Sequence, residues 1–174
     1  MTKSIVNQTR GEQGFSMIEL LVVIGIAGIL LAAALPAMRN YTGTARLTGA
    51  ADEVASTLKL ARQRAVATNG HVVVQFDTGT SSFYLFDDKD QSGSRDGNET
   101  MAGPYDVTKG VALAEVGFAD ERVTFDARGS ASESEAVILV NNGQAAQRVD
   151  VTAATGLIYV SGIYEYTEGQ GHAH

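Results

Sequence analysis

The densest set of chemistry-bearing side chains lies in one segment, Asp88-Lys89-Asp90-Gln91-Ser92-Gly93-Ser94-Arg95-Asp96-Gly97-Asn98-Glu99. Its spacing is that of a calcium loop: oxygens at places one, three, five and nine, glycine at six and a carboxylate at twelve. A hard cation favours such a flexible, oxygen-rich cage. Asp88, Asp90 and Ser92 would offer side-chain oxygens, Ser94 its carbonyl, Asp96 a direct or water-bridged contact, and Glu99 two oxygens. The simpler reading is a solvated hairpin loop, in which Asp, Ser, Gly and Asn serve turn geometry. The preceding Phe83-Tyr84-Leu85-Phe86 reads as a strand, whereas a helix leads into the calcium loop of an EF-hand. Calcium is the one cofactor the sequence brings into question, and the chain requires none.

Little else could carry catalysis. The absence of Cys removes disulfides, thiolate metal sites and a Cys nucleophile. Imidazole is offered only by His71, His172 and His174. The last two sit in a Gly-rich tail and His71 begins a strand, so a Ser-His-acid triad has no material. No enzymatic activity is expected. A net charge of -7 opposes nucleic-acid binding, which needs a surplus of Lys and Arg on some face. A local patch of Arg122, Arg128 and Arg148 is the one arrangement that would revive it.

The elements that would position these residues start with the N-terminus. Lys3 and Arg10 precede Gly11-Glu12-Gln13-Gly14, then Phe15-Ser16-Met17-Ile18-Glu19 and a nearly unbroken apolar run from Leu20 to Leu35. At ~1.5 Å per residue, the stretch from Phe15 to Met38 is long enough to cross a hydrocarbon core of roughly 30 Å. The positive-inside tendency keeps the first residues in the cytoplasm and sends the rest outward. A cleaved secretory signal, with Ala32-Ala33-Ala34 as its cleavage site, would have too long an apolar region. A plain signal anchor leaves Glu19 without a purpose, although a carboxylate in an apolar span normally has a partner or a job.

This N-terminus resembles the class III leader of type IV pilins and type II secretion pseudopilins, on Gly14 before the cut, Phe15 as the new first residue, Glu19 fifth in the mature chain and Pro36 late in the apolar stretch. The resemblance implies cleavage after Gly14 by a prepilin peptidase, N-methylation of Phe15 and retention of the hydrophobic segment. It also implies assembly with other pilin or pseudopilin subunits on an inner-membrane platform. Glu19 would pair with the ammonium of a neighbouring subunit's Phe15, and such pairing fixes axial register because an unpaired buried charge would be expelled. The implied location is the inner membrane, single-pass, with the C-terminal domain in the periplasm, and then the filament.

Beyond the span, Pro36 should kink or locally melt the helix. Leu47, Ala51, Val54, Leu58, Ala61 and Ala65 then form one apolar stripe, while Asp52, Glu53, Lys59, Arg62 and Arg64 fall elsewhere. That stripe should pack on a sheet, and Asn69-Gly70 should end the helix. Strands are expected over 71–76, 82–86, 111–116, 122–125, 136–140, 148–151 and 157–163. Turns are expected at Thr78-Gly79-Thr80, Arg128-Gly129-Ser130, Asn141-Asn142-Gly143 and Thr155-Gly156. Residues 165–174 read as a frayed tail. The fold class is thus α+β, a long N-terminal helix on an antiparallel sheet. Its parts are a leader (1–14), a transmembrane or filament-core helix (15–38), an amphipathic continuation (39–69) and a β-rich periplasmic domain (70–174).

Within the pilin-like group the chain is most similar to the GspH/FimT-type minor pilins and pseudopilins. The similarity rests on the helix from Ala45 to Thr68, the acidic insert from Asp87 to Glu99 and the stretch from Val123 to Gly129. It implies a structural subunit of a type IV pilus or a type II secretion pseudopilus. A filament-tip binding protein, for adhesion or DNA uptake, is the alternative. DNA-binding members of that branch carry a late Gly-Arg-x-Arg turn, where this chain has Gly156-Leu157-Ile158-Tyr159 without an Arg.

Overall fold

The computed structural model describes residues 15–167. The leader residues 1–14, with Gly14, and the histidines at 172 and 174 lie outside the described residues. The chain divides into two compact units, Met1–Arg39 and Asn40–His174. A single helix, α1 (Met17–Thr68), contributes to both. Its helical course is uninterrupted at position 36, so the expected local melting at Pro36 is not found.

In the second unit α1 behaves as its pattern requires. Every residue of the anticipated stripe is fully buried, and Ala50 and Ala55 widen it. The small alanines let the helix lie close to the strands, while Leu47, Val54 and Leu58 fill the space between. Asn69, in the left-handed conformation (φ 49°), ends the helix, and the Gly70 N–H donates to the carbonyl of Ala65 at 3.0 Å.

Two antiparallel sheets share this core, where the sequence suggested one. Sheet A has the order β3-β2-β1-β5, from β1 (His71–Asp77), β2 (Ser82–Asp88), β3 (Met101–Asp106) and β5 (Arg122–Phe125). Sheet B has the order β4-β6-β7-β8, from β4 (Val111–Val116), β6 (Glu135–Asn141), β7 (Ala145–Thr152) and β8 (Leu157–Val160), with β9 (Tyr164–Glu165) also on β7. The chain leaves sheet A after β3, builds β4 into sheet B, and returns to A as β5. Alternation sets the inner face: Val72, Val74, Phe76, Phe83, Leu85, Val123 and Phe125 from A meet Val137, Leu139, Val149 and Val151 from B. Phe76 stacks on Phe118 and touches Phe83 and, through it, Tyr105.

β3, which is not among the expected strands, contains Gly103-Pro104. It forms a strand because it is an edge of sheet A, where the missing Pro N–H deprives no neighbour. Gly103 (φ 105°) sits opposite an irregularity between Phe83 and Leu85, and a side-chain carbon there would crowd Tyr84 and the Phe83 carbonyl. The start of the supposed frayed tail is also ordered. Tyr164 and Glu165 pair with Ala146 and Ala145, and the Tyr166 N–H donates to the Gln144 carbonyl at 2.8 Å. Burial pushes the Tyr164 phenol above its ordinary value.

Candidate functional site

The first candidate is the start of α1. From Phe15 to Ala33 every described side chain is exposed, with Phe15 79% and Met17 86% accessible. The apolar residues run around the whole helix, so no single face could satisfy them within one chain. Side-chain carbons on Gly25 and Gly28 would meet nothing. Glu19 lies in the first turn, where a carboxylate is favoured by the helix dipole, and its N–H donates to the Ser16 carbonyl at 3.0 Å. Among the described residues no helix is long and apolar enough to cross a membrane. The apolar run of the sequence continues through Ala34 and Leu35, beyond the side chains described there.

The second candidate is the insert between β2 and β3. Asp88, Asp90 and Glu99 bring one carboxylate oxygen each within 4.8 Å of one another. Backbone donors place them. Asp88 accepts from the N–H groups of Ser92 and Gly93, both at 3.0 Å. Glu99 closes the neck by accepting from Lys89 N–H at 2.9 Å and Asp96 N–H at 3.1 Å. Asp90 accepts from the Ser92 N–H at 3.1 Å, and hydrogen bonding to Ser92 holds its carboxyl below the ordinary value. The Ser92 hydroxyl donates to the Ser94 carbonyl at 2.9 Å. Asp96 departs from the anticipated set: it accepts from Asn98 N–H at 2.9 Å and does not join the three carboxylates. Of the six residues expected, three converge, Ser92 and Ser94 adjoin them, and Asp96 serves the local turn.

The insert also has a lid-like position that the sequence did not reveal. Val73 and Phe86 alternate with the core residues of β1 and β2 and so face away from α1, yet both are buried. They pair directly across the two strands. The insert runs from the end of β2 past β1 to β5, where Arg122 Nη1 donates to the Gly93 carbonyl at 2.8 Å.

His71 opens β1 opposite Asp88 and lines a cleft of about 370 Å³ with Thr68, Asn69, Asp87 and Lys89. Arg64 holds Asp87 on both oxygens: Nη2 donates to Oδ2 at 2.7 Å, and Nε makes an ion contact at 2.6 Å with Oδ1 without hydrogen-bond alignment. The three arginines considered for nucleic acid do not form one patch. Arg122 lies on the outer face of sheet A and Arg148 on that of sheet B, and each of the three pairs with an acid, Asp120, Asp126 or Asp150.

Residues 50–156 match the family model described as type II transport protein GspH, and residues 9–35 match the prokaryotic N-terminal methylation motif. The chain belongs to the GspH family. It is a pilin-type structural subunit with the N-terminal methylation motif of such proteins. A fimbrial protein of Pseudomonas aeruginosa is 30% identical over 116 residues, covering 60% of this chain and 75% of that protein. The minor pseudopilin EpsH of the Vibrio cholerae type 2 secretion system superposes with a TM-score of 0.54 at 16% identity, covering 67% of this chain and 96% of EpsH. The type IV minor pilin FimU of Pseudomonas aeruginosa gives 0.53 at 20% identity, over 70% and 92% of the two chains. These likenesses establish the fold of the GspH domain: one helix against antiparallel sheets.

Proposed function

We propose that this GspH-family subunit is cut after Gly14 by a prepilin peptidase, methylated on Phe15, and held as a single-pass inner-membrane protein with its β domain in the periplasm. It then enters a pilus or pseudopilus as a minor subunit by exchanging lipid for the helices of sister subunits. The observation that carries this is the all-round exposed apolar surface at the start of α1, with Glu19 as its acidic group in the first turn. Apolar area of that extent needs a partner, and neighbouring α1 helices or lipid are the two that match it. Glu19 supplies direction, since its carboxylate can meet the positive end of a neighbour's Phe15 and nothing equivalent offset along the rod. Intact mass and N-terminal sequencing of the protein from membranes test processing, which requires a mature chain beginning with methylated Phe15. Glu19→Ala tests assembly: processing should persist while recovery in sheared filaments falls. Normal incorporation of that variant would remove the role given to the carboxylate.

A second reading concerns the insert. The convergence of Asp88, Asp90 and Glu99 favours a calcium ion held at its neck, with the Ser92 hydroxyl and the Ser94 carbonyl completing an all-oxygen set. The donor chemistry fits a hard divalent cation. The ion would offset mutual repulsion of the carboxylates and hold the insert in place.

A further inference from the structure

We infer that Arg122 couples the acidic insert to the crossover between the two sheets, so that the strap over the outer face of sheet A and the connection 117–121 open together. The coupling needs no bound cation. Arg122 is the first residue of β5, and its guanidinium reaches in two directions. Nη1 donates to the Gly93 carbonyl at 2.8 Å, and Nη2 donates to Asp120 Oδ2 at 2.9 Å. Gly93 is fitted to this contact by its backbone, since it adopts φ 70°, which L side chains rarely take.

The crossover is equally constrained. Asp120 and Glu121 are consecutive non-Gly residues at positive φ, 53° and 54°. Such a conformation persists only where surrounding contacts over-determine it. Gln75 Nε2 donates to the carbonyls of Asp120 (2.9 Å) and Glu121 (3.2 Å), and the Thr78 hydroxyl donates to Glu121 Oε1 at 2.7 Å. The Gly117 N–H donates to the Ala136 carbonyl at 2.9 Å and the Ala119 N–H to Glu133 Oε1 at 3.1 Å, and Arg122 is the anchor that also holds the middle of the insert. One side chain therefore stabilises two strained segments far apart in sequence, and loss of its grip on one removes support from the other.

Hydrogen–deuterium exchange on the full chain in detergent micelles tests this. Arg122→Ala should speed exchange of the hydrogen-bonded insert amides (Ser92, Gly93) and of Glu121 together, each by about ten-fold, the size expected on losing a hydrogen bond to a charged group. Gly93→Ala strains the insert backbone and brings a methyl only to ordinary contact distance from Arg122, yet Glu121 should loosen with it. Should Arg122→Ala fail to fold, Gly93→Ala and Arg122→Lys carry the same comparison. Arg128→Ala, whose side chain is 86% exposed and pairs with Asp126, should leave both segments at wild-type rates. Loosening of one segment while the other keeps its protection would overturn the coupling.

Discussion

A side-chain carbon on Gly156 would overlap the carbonyl oxygen of Gly129, and it would crowd Arg62 as well. Arg62 Nε donates to that same carbonyl at 2.9 Å, so a helix side chain and two loops, one after β5 and one after β7, meet at one point. Both glycines have positive φ, 81° at Gly129 and 58° at Gly156.

Gly156→Ala should therefore destabilise the chain by about 3 kcal/mol, combining left-handed strain with overpacking. Chemical denaturation followed by circular dichroism measures it. A loss under about 0.5 kcal/mol, as at ordinary surface sites, would show that the loops do not close on each other as tightly as described.

Leu58 lies at the centre of the helix stripe and is fully buried. Leu58→Ala should cost about 3 kcal/mol through lost burial and the cavity left behind. The exposed neighbour Lys59→Ala should change stability by less than about 0.5 kcal/mol. Equal effects in paired melts would mean that the stripe does not face the sheets.

Acid should weaken the fold in a defined window. Backbone and hydroxyl hydrogen bonds from Thr80 lower the Asp77 carboxyl, hydrogen bonding to Ser92 lowers that of Asp90, and the backbone N–H of Ser130 lowers that of Asp126. A carboxyl depressed in the folded state contributes stability that is present above its unfolded value and lost as pH falls through the folded one. The loss should therefore fall below about pH 4. Replacing Asp77 and Asp126 by Asn should flatten the decline of melting temperature between pH 4 and 2, to be read by calorimetry, and an unchanged slope would contradict the assignment.

Calcium should raise the melting temperature of the full chain, because an ion that binds only the folded state stabilises it by about 2.7 kcal/mol at a hundred times its dissociation constant. Glu99→Gln should abolish the shift, while Asp96→Asn should largely keep it, since Asp96 caps Asn98 and stands apart from the carboxylate cluster. No shift at millimolar calcium removes the cation from the insert. It leaves the linkage through Arg122 untouched.

What could be read from sequence was what periodicity and turn chemistry encode. The stripe from Leu47 to Ala65 is buried residue by residue, and β4 and β5 have the bounds that their alternation gives. Long-range geometry was hidden. Nothing local in Val123–Phe125 reveals that β5 returns to the first sheet, and nothing in Val73 or Phe86 reveals that the far side of that sheet is buried there. The anticipated strand 157–163 stops at Val160: the Ser161 N–H still donates to the Arg148 carbonyl at 2.8 Å, but the Arg148 N–H donates to the Ser161 hydroxyl at 2.9 Å in place of its carbonyl, and the chain rejoins β7 only as β9. Spacing gave Asp96 a direct or water-bridged contact with a cation, and it could not show that the same carboxylate accepts from the Asn98 N–H two residues on.

Pro104 on the border of the first sheet has a meaning for a pilin-type subunit. A flat, fully donating outer strand would invite a second copy to add itself edgewise, and growth of that kind has no natural stop. With a proline and a left-handed glycine on β3, that border is a poor template. In the proposed filament, where the helices carry assembly, the β domains can crowd side by side without pairing along this border.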